Sequence, residues 1–244
     1  MIIKKSLRLY QISAMAMAMA MAMAMAMAMA MAMAGCAAGP KPADWQLETK
    51  GAMERSVAAY LEGHSRVEAV ELARARSEVS STGRVDLMAR VELVHCASHV
   101  ASLEFEVCTG FEKLRQDAPP AERAYADYLA AKMPVQDASL LPAQHRAIAA
   151  VQAEASGASE VMLKGITDAL SQLIAAGVLL QKGQASPAVV QVAVDAASAQ
   201  GWRRPLLAWL GVQLKLAEKG GNLQDAARLR RKIELTQGSA QATR

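Results

Sequence analysis

The longest apolar run in the chain has no polar phase. From Ala14 to Met33 alanine and methionine alternate as ten pairs, and Ala34, Gly35 and Cys36 follow. Alternation marks a strand only when one of its two faces is polar; here both are apolar, so the period carries no amphipathic signal. Alanine and methionine are good helix formers and neither is β-branched. As a helix the ten pairs would extend about 30 Å, the hydrocarbon thickness of a bilayer. Lys4, Lys5 and Arg8 precede the run and small residues close it. Basic, apolar, small is the order of a bacterial export signal. The run exceeds the roughly 7–15 apolar residues usual in such signals. Its length therefore leaves an uncleaved, single-span membrane protein as an alternative.

Beyond Pro40 and Pro42, which keep a short linker extended, apolar positions recur at helical spacing and the chain reads as all-α. Helices are predicted to begin near Leu47, Arg66, Val85, Pro119, Pro142, Glu160, Pro187, Arg204 and Leu223. Ser186-Pro187 supplies an N-cap followed by proline at the first helical position. Asn222 caps the last helix, with Asp225 in its first turn. Gly220-Gly221 ends the helix before it. The nearest approach to a strand, Ser102 to Cys108, reads equally as an extended connection. Short turns between the helices predict antiparallel hairpins.

Met33-Ala34-Gly35-Cys36 resembles a lipobox, the motif of bacterial lipoproteins; Ala34 and Gly35 match it, and Met33 stands where leucine is usual. The resemblance implies cleavage between Gly35 and Cys36, a diacylglyceryl thioether and an N-acyl chain on Cys36, and attachment to the cell envelope. Ala37 after the cysteine, by resemblance to enterobacterial sorting, implies the periplasmic face of the outer membrane. Two later stretches resemble tetratricopeptide repeats. In the first, Gly63 takes the turn while Leu72 and Ala75 match packing positions, but the usual small residue falls on Glu68. In the second, Leu210-Gly211, Leu214, Gly221 and Ala226 match if an insertion is allowed. The expected fold is thus stacked antiparallel hairpins of tetratricopeptide type. The whole pattern resembles uncharacterised proteobacterial lipoproteins, which implies a location and no activity. The expected organisation is a signal over 1–35, Cys36 and a linker to 43, a helical domain over 44–236 and a disordered tail over 237–244. The linker reaches at most about 25 Å, so it would keep the domain near the membrane.

Charge changes meaning once the signal is set aside. Its removal takes three basic residues and leaves 24 basic against 23 acidic side chains, so the basic pI is no argument for nucleic acid. Residues 36–201 carry 15 basic and 20 acidic residues, and the stretch from Trp202 to Arg244 carries nine basic and three acidic. That asymmetry fits a basic terminal hairpin docked on an acidic body, or a basic surface for lipid phosphate or an acidic partner. Of the three cysteines, lipid would occupy Cys36. Cys96 and Cys108 then remain, and an oxidising compartment permits a bridge between them; the alternative is two buried thiols.

Candidate chemistry is sparse. His95 and His99 lie four apart on one helix face, with Glu92 a turn earlier. Two histidines and a carboxylate can hold zinc. The helical projection also places Glu92, His95, His99 and Ser102 on one polar stripe, the ordinary pattern of a solvated face, and no metal site is assigned on that basis. His64 and His145 read as surface or capping residues. Trp202 and Trp209, with Leu206 and Leu210, read as core, or else as an aromatic groove for a partner. Arg228, Arg230, Arg231 and Lys232 wrap one helix as a solvated basic surface. The chain has no nucleophile elbow, phosphate loop or Ser-x-x-Lys pattern, and no cofactor is expected. The expected role is a non-catalytic adaptor binding other envelope proteins. The rival is a periplasmic metal-binding protein or enzyme using His95 and His99.

Overall fold

A computed structural model describes residues 42–150 and 156–238, together with three isolated methionines, Met19, Met21 and Met23. Gly35, Cys36, the rest of the Ala-Met run and residues 239–244 of the expected tail lie outside the described residues. The chain divides into two units, Met1–Ala43 and Asp44–Arg244. The second unit is all-α. Its helices are α1 (Asp44–Glu62), α2 (Ser65–Ser80), α3 (Val85–Ala101), the single turn α4 (Thr109–Glu112), α5 (Pro120–Leu129), α6 (Ala143–Ala149), α7 (Ser156–Lys164), α8 (Ala169–Gln181), α9 (Pro187–Gln200), α10 (Arg203–Lys219) and α11 (Leu223–Gly238), with a 3-10 helix over Val135–Leu140. No strand occurs among the described residues, and Glu104 to Cys108 is an irregular connection. None of the described helices is long and apolar enough to cross a membrane.

Local signals place most boundaries. The Ser186 hydroxyl accepts from the Val189 amide with Pro187 beside it, and the Asn222 side chain accepts from the Asp225 amide at 3.1 Å. Gly63 adopts φ +91° between α1 and α2 and Gly221 adopts φ +70° between α10 and α11, a region open to glycine because it lacks Cβ. Both predicted hairpins therefore form. The single helix expected from Glu160 is instead two. Asp168 turns the chain and caps α8, its carboxylate accepting from the Ser171 amide at 2.7 Å. The Gln172 side chain then donates to the Leu163 carbonyl at 2.8 Å, satisfying the end of α7.

Packing centres on α3, which is buried along both flanks. Val91 joins Ala52, Leu72, Ala75 and Val79 in a small cluster under the first hairpin. Leu93, Ala97, Val100 and Ala101 join the main core with α5, α8, α9 and α10. Trp209 is fully buried there and donates its indole N–H to the Ala101 carbonyl at 3.0 Å; Leu210 is buried and Trp202 and Leu206 pack at the edge, as the core reading expects. The stack does not run as one row, because α3 packs on α8 and α10 returns to α1. Arg204 closes that return: its Nε donates to the Tyr60 carbonyl at 2.8 Å and its Nη2 to the Ser65 hydroxyl at 2.7 Å. The basic residues of α11 are solvated, as expected. Arg228 pairs with Asp225 on α11 itself and Arg230 with Glu218 across the hairpin.

His145 departs from its expected surface position. It is buried against Tyr125 and Tyr128, with Nδ1 3.3 Å from the Tyr128 hydroxyl, because α6 turns its inner face onto the core. His64, by contrast, is exposed in its turn.

The α3–α8 crossing requires Gly177. A methyl group there would stand 2.6 Å from the Val100 carbonyl oxygen and 3.1 Å from Val100 Cγ1. Gly177→Ala is expected to destabilise the protein by about 1–3 kcal/mol through overpacking, read by urea denaturation. Burial also pushes the His145 imidazole down from 6.5 to about 4, against a small opposing contribution from Asp168. Between those values the unfolded chain binds a proton that the folded chain does not. Stability therefore falls as pH is lowered through that window, by on the order of 3 kcal/mol. His145→Gln is expected to lose that part of the pH dependence when urea midpoints are compared at neutral and acidic pH.

Candidate functional site

The polar stripe of α3 does not face solvent. Glu92 and Ser102 are buried, and the His95 and His99 side chains are each only 25% exposed. The reason is tertiary: the first hairpin covers this face. The ionisable groups on the stripe then need partners inside the protein.

Glu92 finds Arg76 from α2, which binds it through two parallel hydrogen bonds, Nε to Oε1 at 2.6 Å and Nη2 to Oε2 at 2.7 Å. This pairing raises the Arg76 guanidinium above its ordinary value, hydrogen bonding outweighing desolvation. A Cβ at Gly110 would collide with the Glu92 carboxylate, so glycine allows α4 to sit against the ion pair. The carboxylate that reaches the histidines is therefore not Glu92. It is Glu68 from α2, whose Oε1 lies 3.2 Å from both His95 Nε2 and His99 Nε2. The three donor atoms all lie within 4.8 Å of one another. Desolvation by burial lowers the His95 imidazole below its ordinary value, with the neighbouring His99 adding to that and Glu68 opposing it.

His99 makes two further contacts, one at its second nitrogen and one on its ring face. Its Nδ1 meets Glu104 Oε2 at 2.9 Å, and Tyr60 stacks on its ring with centroids 4.1 Å apart and planes 21° from parallel. The Arg204 guanidinium covers the other face of this assembly, 4.3 Å from the Tyr60 ring centroid and 3.6 Å from Glu104. Burial pushes the Tyr60 phenol up, the Ser102 hydroxyl offsetting part of that effect. Glu104 reaches His99 because α3 ends abruptly. Leu103 takes φ +63°, and the Glu104 amide donates back to the His99 carbonyl at 3.0 Å. A left-handed residue closing a helix in this way is commonly glycine; leucine there carries a strain of about 1–2 kcal/mol.

The chain leaving that turn is tied back to α3 by a disulfide between Cys96 and Cys108, with Cα atoms 5.8 Å apart. It thus takes the bridged rather than the free-thiol alternative. Helix α3, the bridged connection and α5 enclose a polar cleft of about 410 Å³, whose walls include Arg76, His95, His99, Glu104, Arg115 and Asp127. A second, apolar groove of about 550 Å³ lies between the first hairpin and α3. Trp45, Met53, Leu87, Val91 and Val94 line it, together with Lys50, Arg84 and Arg90.

Of the residues singled out in the sequence, the structure brings together His95 with His99 and Cys96 with Cys108. Gly35 and Cys36 lie outside the described residues. Glu68, Tyr60, Glu104 and Arg204 escaped the sequence reading. Only Glu68 left a trace there, as the charged residue standing where a helical-repeat hairpin carries a small one. No protein-family model matches the chain, and neither does a curated protein or a solved structure.

Reducing the Cys96–Cys108 bridge is expected to lower stability by roughly 2–3 kcal/mol, measured by denaturation with and without reductant. Hydrogen exchange is expected to rise across Glu104 to Val107, the segment that the bridge pins.

Proposed function

We propose that the chain is a lipid-anchored cell-envelope protein whose helical domain is a non-catalytic scaffold binding other envelope proteins at the periplasmic face of the outer membrane. The observation that carries this reading is the Cys96–Cys108 bridge. Structural disulfides form and persist in oxidising compartments outside the cytosol. With two of the three cysteines joined, Cys36 is the one that follows an apolar, export-type leader. Acyl chains on it supply stable attachment, since burial contributes about 0.8 kcal/mol per methylene and more than one chain is needed to hold a protein on a bilayer.

The apolar groove supports the binding role. Amphipathic helices dock in such grooves through apolar anchors; Lys50, Arg84 and Arg90, which also border the groove, are already paired with Glu54, Asp86 and Glu122. Val94, 39% exposed, is the natural probe position.

Feeding cells an alkyne-tagged fatty acid is expected to label the protein, and Cys36→Ser to abolish the label and release the chain from the membrane fraction. A photo-crosslinker at Val94 is expected to capture a discrete envelope partner that the same group at Val161, exposed elsewhere on the surface, does not. An unacylated native chain recovered in the cytosol sinks the reading.

A further inference from the structure

We propose that Glu68, His95 and His99 form a three-ligand site for a divalent transition metal of zinc type, with its remaining coordination position open to the polar cleft. This goes beyond the scaffold reading and stands whether or not the chain is acylated.

Three features converge on it. The first is the treatment of buried acids. Glu68, Glu92 and Glu122 are all nearly withdrawn from solvent. Glu92 is paired with Arg76 and Glu122 with Arg90, each at 2.6 Å. Among the described residues the groups at the Glu68 carboxylate are two imidazoles rather than an arginine or lysine. A buried carboxylate needs compensating charge, and at this position the side chains offered are metal ligands.

The second is distance. Zinc holds imidazole nitrogen at about 2.0–2.1 Å and carboxylate oxygen at about 2.0–2.2 Å, so neighbouring donors of a tetrahedral site stand about 3.3–3.5 Å apart. Glu68 Oε1 stands 3.2 Å from each Nε2. The set already has the edge lengths of a coordination polyhedron on its two nitrogen–oxygen sides, and the rings need only close around an ion.

The third is the surround of His99. Its Nδ1 faces the Glu104 carboxylate at 2.9 Å while its Nε2 faces Glu68 at 3.2 Å. Carboxylate–histidine–metal order is the usual outer-shell arrangement that fixes tautomer and ring direction. Here the ring is further held by Tyr60. His95 and His99 remain partly open to the cleft, which gives an ion a route in.

Two nitrogens and one oxygen suit zinc, and copper and nickel bind the same donors. Glu68 lies on α2 and both histidines on α3, so an ion would cross-link the first hairpin to the central helix.

The test is calorimetric titration of zinc into the purified full-length protein after chelator treatment. One zinc per chain is expected. Affinity should fall about tenfold or more in Glu68→Gln and in His99→Gln, and remain unchanged in His64→Gln. Glu104→Gln, which leaves all three ligands in place, should weaken zinc by about 10–100-fold. Cobalt(II) in place of zinc should give the visible bands of a tetrahedral nitrogen–oxygen site without thiolate charge transfer. Failure to bind, binding undiminished by the ligand substitutions, or a thiolate band placing the metal on Cys36 each overturns the proposal. Circular dichroism checks the fold of every variant. Should the ligand variants unfold, the cobalt spectrum of the unaltered protein decides alone, and absence of tetrahedral bands rejects the site.

Discussion

Helix α3 is enclosed on both flanks, and the rest of the domain is arranged to permit that. One flank supplies Val91 to the cluster under the first hairpin, the other supplies Leu93, Ala97, Val100 and Ala101 to the main core. Close approach at Gly177 and the indole of Trp209 on the Ala101 carbonyl hold the far side in place. Arg204 then ties α10 to the α1–α2 turn. Hydrophobic burial drives the assembly, but enclosing a helix also traps whatever polar groups it carries.

That trapping produces the chemistry of the site. A polar stripe on a surface helix needs nothing beyond water. The same stripe under a second helix needs partners of defined charge and geometry. Glu92 obtains a bidentate guanidinium. Losing Arg76 would strand the buried Glu92 charge, although the solvent exposure of the guanidinium weakens the pair. The histidines obtain Glu68 and Glu104. Tyr60 stacks on the His99 ring, Arg204 covers Tyr60 in turn, and the disulfide ties down the segment bearing Glu104.

The turn after α3 shows the same coupling between backbone and site. Leucine at φ +63° is an unfavourable choice for a helix terminus. It reverses the chain within two residues, so that Glu104 meets His99 one turn back, and Cys108 returns to Cys96. The Leu103 side chain packs against the main core, which offsets part of the strain.

The sequence by itself determined the elements whose causes are local. Periodicity and caps located nearly every helix, because Ser186-Pro187, Asn222 and the turn glycines act on their own neighbours. It missed the break at Asp168, which caps α8 while Gln172 satisfies the end of the preceding helix. The cysteine pair was legible as one of two alternatives, since counting cannot distinguish a bridge from two buried thiols. What only the tertiary structure decided is which faces are covered. His145 and the α3 stripe carry the same polar pattern whether they meet water or another helix, and helical spacing holds no record of the neighbour. Glu68 lies 27 residues from His95 in sequence and one hydrogen-bond length away in space. Such a meeting is set by the packing of α2 on α3, a long-range burial that no local pattern encodes.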